Sequence, residues 1–185
     1  MNKHVTVRSA TIFALILGAA ISRLLPHPPN VTPLGALALF AGAYVTDKRL
    51  AVVIPLAAMA LSDAIIGFHV LLPVVYLCVA ATVWIGFGLR SGVKIVGLAA
   101  RVLAGSILFF IVTNFGVWAM GTMYPHSFAG LVSCYVAAIP FFRNSLLGDV
   151  GFAALLFGSF VLAGRMVPAI REEAKSVGVT AGTSR

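Results

Sequence analysis

Apolar residues fall into six runs along the chain, separated by short stretches rich in proline, glycine or charge. The runs cover about Ser9 to Leu25, Leu34 to Thr46, Leu50 to Phe68, Val70 to Leu89, Val102 to Gly121 and Asn144 to Met166. Each is predicted to be a helix. Most approach the ~20 apolar residues that a ~30 Å hydrocarbon layer requires. The second is too short: its 13 residues rise only ~20 Å. It is either extended by its flanks or is a short or broken helix. Pro73 falls in the first turn of the fourth run, where proline is tolerated. Between Tyr124 and Asn144 the chain is apolar and aromatic, and it is read as a long loop folded back over the bundle.

Composition makes lipid the solvent. Of 185 residues, 61% are hydrophobic and 10% charged, and mean hydropathy is +1.06. A soluble fold of this size could not hide so much apolar surface. The fold class is therefore an all-α integral membrane protein. It is read as one six-helix domain over residues 1–170, with a polar cytoplasmic tail at 171–185.

The +8 net charge and pI of 10.2 would suggest nucleic acid in a soluble protein. In a membrane protein the excess of Lys and Arg marks cytoplasmic segments, and no nucleic-acid partner is expected. Six spans put both termini on one side. With that side cytoplasmic, every Lys and Arg falls inside except Arg23 and Arg143. The expected setting is a membrane crossed several times.

That orientation gathers the unusual polar residues on the outer side. Pro26-His27-Pro28-Pro29-Asn30-Val31-Thr32-Pro33 is a stiff, extended loop. Asp63 and His69 close the third run, His126 lies beyond the fifth, and Arg143 and Asp149 flank the start of the sixth. The two aspartates are open to a helix-capping role or to pairing with Arg143. Tyr76, Phe141 and Phe142 are candidate walls of an outward cavity. Cys78 lies ~12 Å down the fourth run, either as a buried apolar thiol or as a soft metal ligand on the cavity floor. Ala10, Ala14 and Gly18 recur four residues apart, a stripe that admits close approach by another helix. No Walker motif occurs, so there is no ATP site in this chain.

The block PHPPNVTPLGALALF at 26–40, together with DAIIGFH at 63–69, TNFGVW at 113–118, GLVSCYVAAIPFF at 130–142 and Gly148-Asp149, resembles a family of small bacterial membrane proteins. The chain is most similar to the BtuM group, the cobalamin-specific substrate-binding components of energy-coupling-factor (ECF) transporters. The resemblance implies a six-helix S-component fold set in a bacterial inner membrane. It implies cobalamin bound as substrate from the outer side, contacting His27, Asn30, Asp63, His69, Tyr76, Phe141, Phe142 and Arg143. It implies an axial cysteine ligand to cobalt, assigned to Cys78 rather than Cys134, with exchange or removal of the upper axial ligand as its chemistry. It also implies an ECF-type coupling subunit with its ATPases as partners, meeting the Ala10, Ala14 and Gly18 face. Two other readings stay open: a similar component for another small substrate, and a membrane enzyme using His27, Asp63 or His69 at the outer surface.

Overall fold

The computed structural model describes residues 7–26 and 28–170. Among them are six helices and no strand: α1 Val7–Ser22, α2 Leu34–Tyr44, α3 Lys48–Ile66, α4 Leu72–Phe87, α5 Ile95–Met120 and α6 Phe128–Met166. The fold is all-α, as expected. Three helices, α3, α5 and α6, are long and apolar enough to cross a membrane, and the other three are shorter apolar helices. The expected polar tail lies outside the described residues.

One expectation is corrected. The stretch between Tyr124 and Asn144 is not a loop folded over the bundle; from Phe128 onward it is the first half of α6. Ser127 begins the helix by accepting a hydrogen bond from the Gly130 amide. Pro140 sits inside the helix. Its ring removes one backbone bond, and the helix continues because its inner face packs along α5: Phe110 meets Tyr135 and Phe142 at ring separations of 5.5 and 4.9 Å. The start of α5 also moves, to Ile95, seven residues before the expected Val102. Arg101 fits within it because its guanidinium reaches back to the Gly97 carbonyl at 3.0 Å.

The helices pack as a ring around a hub. α1, α3, α4, α5 and α6 touch in that cyclic order, with α6 closing on α1, and α2 touches all five. α2 is suited to that position because it is apolar on every side. Its residues from Ala36 to Ala41 are at most 1% exposed. It is also short: 11 residues rise only ~16 Å. Of the two readings of the second run, the short helix is the one observed. Large apolar side chains on the ring helices, such as Phe13, Leu61, Trp84 and Leu155, point outward and are exposed, as a lipid-facing surface requires.

Both ends of α2 are closed by side chains from other elements. At its N-terminus the Asp149 carboxylate of α6 accepts the Gly35 and Ala36 amides. At its C-terminus Arg90 donates to the carbonyls of Gly42 at 2.9 Å and Val45 at 2.7 Å. A negative group at the N-terminus and a positive one at the C-terminus both complement the helix dipole.

α3 starts on an N-cap. The Asp47 carboxylate accepts from Arg49 N at 2.7 Å and Leu50 N at 3.0 Å. Those bonds, first the one from Leu50 and then the one from Arg49, hold its pKa below the ordinary 3.8. A depressed carboxylate stabilises the fold above its unfolded pKa, and the contribution disappears as pH falls through the folded value. Thermal stability followed from pH 5 to pH 2 should therefore drop less steeply in Asp47→Asn than in the wild type. Parallel curves would show that the cap contributes nothing.

Candidate functional site

The cavity follows from the length of α2. The ring helices continue past its N-terminus, and the hub does not, so a space of about 350 Å³ remains inside the ring at that end. Leu34 and Gly35, the first residues of α2, form its floor together with Ser106 of α5 and Asp149 of α6. The lining extends along α4 from Leu71 to Thr82, a rise of ~16 Å. Asn30 and Thr32 of the proline-rich segment also line it, and Asn144 Nδ2 donates to the Pro29 carbonyl at 3.2 Å, tying that segment to α6.

The floor is polar by design of its neighbours. Ser106 Oγ donates to Asp149 Oδ2 at 2.7 Å and is 1% exposed. With the two α2 amides, the carboxylate has three donors. A Cβ at position 35 would collide with Asp149 Oδ1, so glycine is what lets the carboxylate reach the α2 backbone. Gly148 serves the same contact: a Cβ there would lie 3.1 Å from Val31 Cα. The Pro-Leu-Gly of the first signature block and the Gly148-Asp149 pair are thus two halves of one junction.

A second buried acid sits beside the cavity. Asp63, on the last turn of α3, forms an ion pair with Arg23 at 2.6 Å and accepts from Tyr76 Oη at 2.9 Å. Arg23 also donates to Ser62 Oγ. The network joins the end of α1 to α3 and α4. Arg23 faces the cavity, whereas Asp63 and Tyr76 are not in its lining.

The remaining expected site residues divide as follows. Asn30, His69, Phe141 and Phe142 line the cavity. Asn30 adopts φ +63°, a left-handed conformation that asparagine tolerates. Arg143 is exposed and outside the lining. His27 lies outside the described residues. His126 is also away from the cavity; its ring packs on Trp118 and its Nε2 is 3.2 Å from the Gly121 carbonyl. Cys78 lies on α4 between two lining residues, Val75 and Thr82, but is itself 2% exposed and does not line the cavity. Of the two capping-or-pairing readings of the aspartates, Asp149 caps α2 and Asp63 pairs, with Arg23 and not with Arg143. Ser106, Phe109 and Phe110, which no sequence motif marks, also line the cavity, as does Thr113 from the TNFGVW block.

A model of the DUF6580 family, described as a family of unknown function, matches residues 3–170. The chain belongs to this family. The match takes in every described helix and so the whole cavity. No curated protein and no solved structure matches the chain. Among the described residues of this DUF6580 protein, no group of three or more His, Cys, Asp or Glu side chains is placed to hold a metal ion.

Ala10, Ala14 and Gly18 are all exposed. A Cβ on Gly18 would meet nothing within 4 Å. Ala14 lines a shallow apolar groove between α1 and α3, so the stripe is not buried against another helix among the described residues.

Proposed function

We propose that this protein is a membrane-embedded solute-binding transport component. In this reading it spans a bacterial inner membrane six times, with both termini cytoplasmic, and takes its solute from the outer side into the cavity above α2. The observation that carries the reading is the closed ring around a short hub. It creates a cavity with a polar floor and aromatic walls at one end, and a dry core at the other. There Phe40, Tyr44, Phe157 and Phe160 stack with ring centroids 4.3 to 5.7 Å apart. The distribution of Lys and Arg supports the orientation. With no Walker motif in the chain, energy would come from another polypeptide, and the exposed Ala10, Ala14 and Gly18 face suits a helix of an ECF-type coupling subunit.

The test is native mass spectrometry of protein extracted from its own membranes. Ser145 lines the cavity one turn before Asp149, so Ser145→Trp should fill it. A bound small molecule is expected in the wild type and not in Ser145→Trp. Identical spectra would overturn the reading.

The family resemblance favours cobalamin as that solute. At about 350 Å³, the cavity is at the small end of the ~300–1,000 Å³ range of small-molecule sites. A corrin would therefore rest at the mouth, against Phe141, Asn30 and His69. Cobalt would reach Cys78 only after α4 turns or shifts to uncover the thiol. The chain in lipid nanodiscs, mixed with hydroxocobalamin, should then show an altered corrin absorption that Cys78→Ala abolishes. An unaltered wild-type spectrum would exclude cobalamin and leave the binding role standing.

A further inference from the structure

The two buried acids of this bundle are treated differently, and the difference concerns the ligand. Asp63 has its counter-charge in the chain, the Arg23 guanidinium. Asp149 has none: among the described residues its partners are the Ser106 hydroxyl and the Gly35 and Ala36 amides, all neutral donors. A buried charge in a low-dielectric region is costly unless it is paired. Capping α2 does not require a charge, because neutral Asn or Ser caps a helix as well as Asp does. The carboxylate is nonetheless 92% buried by its 8% exposure, and it lies on the floor of the cavity. The same cavity is lined by Phe109, Phe110 and Phe142. Aromatic faces attract cations by their quadrupole. The other ionised pair at the cavity, Arg23 with Asp63, is already neutral as a unit.

We infer that the cavity takes a small organic cation, a protonated nitrogen on an aromatic or apolar frame, with the nitrogen on Asp149 and the frame among the phenylalanine rings. This rests on the solute-binding reading but not on cobalamin as the solute: it names, from the cavity's own residues, a different substrate class for the same site. The three neutral donors fix the carboxylate in place at the cavity floor, and the ligand supplies the missing positive charge. Among the described residues Asp149 is the one carboxylate in the cavity lining, so a monocation is expected.

The test uses the full chain in lipid nanodiscs at pH 7 and three water-soluble probes of similar shape: benzylammonium, benzyl alcohol and benzoate. Binding is read by isothermal titration calorimetry. The inference expects benzylammonium to bind at least about tenfold more tightly than the other two. It also expects Asp149→Asn, which keeps an acceptor for the α2 amides, to erase that preference. The charge preference is measured in the wild type, so the test survives if Asp149→Asn fails to fold. Equal binding of the three probes, or preference for benzoate, overturns the cation inference; if Ser145→Trp blocks that binding, the solute-binding reading stands. No binding of any probe overturns the inference, and identical native mass spectra of wild type and Ser145→Trp would then separately overturn the reading beneath it.

Discussion

Gly86→Leu is expected to prevent the bundle from forming. α2 and α4 cross where Gly42 and Gly86 face each other. A Cβ on Gly86 would lie 2.7 Å from the Leu39 carbonyl oxygen and 3.2 Å from Gly42 Cα, and a Cβ on Gly42 would collide with the Val83 carbonyl. The atoms in the way are backbone, which cannot swing aside. Overpacking costs ~1–3 kcal/mol even where side chains can adjust, so about 3 kcal/mol or more is expected for leucine, and less for alanine. Close backbone approach is also how helices associate where lipid removes the hydrophobic drive between them. Thermal unfolding in detergent, followed by tryptophan fluorescence, measures the effect. A wild-type midpoint for Gly86→Leu would mean that α2 and α4 do not cross there.

The second large effect concerns the Arg23–Asp63 pair. Arg23→Met leaves the Asp63 carboxylate, 2% exposed on its side chain, with only Tyr76 to satisfy it. Removing one member of a buried pair typically costs ~3–5 kcal/mol, whereas replacing both with apolar groups is often close to neutral. Arg23→Met alone should therefore be severely destabilised, and Arg23→Met combined with Asp63→Leu should recover most of the loss. If the double variant is as unstable as the sum of the singles, the two residues do not act as a pair. The same comparison bears on the site, because Arg23 is part of the cavity wall.

Much of the fold was legible because hydropathy reports spans directly. The shortness of α2 could be read from 13 apolar residues between Pro33 and Asp47, and that shortness creates the cavity. What hydropathy could not show is that α2 is the hub, since a helix apolar on all sides is compatible with several positions in a bundle. The first half of α6 was misread because Pro140 and a run of aromatics resemble a loop. The overlooked signal was Ser127, a cap residue directly before an apolar run. The early residues of α5 escape a hydropathy reading because Arg101 interrupts the apolar run, although a long basic side chain can fold back on its own helix.

The site was legible in part. Asn30, His69, Phe141 and Phe142 were expected and do line the cavity. Ser106 is invisible in the sequence because a serine in an apolar helix ordinarily bonds back to its own backbone; the Val102 carbonyl lies 3.0 Å from its Oγ, but the shorter contact is to Asp149. Phe109 and Phe110 look like lipid-facing residues until the neighbouring helices are placed. Tyr76 was expected at the cavity and instead completes the Asp63 network, a role that depends on the α3–α4 pairing and not on either helix alone.

The truncated hub has a mechanical consequence. A molecule resting on Leu34 and Gly35 sits partway through the bilayer on a plug one helix thick, and that plug is fastened at both ends, by Asp149 above and Arg90 below. Among the described residues Leu37 and Phe40 are fully buried and Tyr44 packs on Phe157 and Phe160, which closes the way past them. For a transport component of the kind proposed, delivery to the far side would require the plug itself to be displaced, and the protein in a voltage-clamped bilayer should be electrically silent.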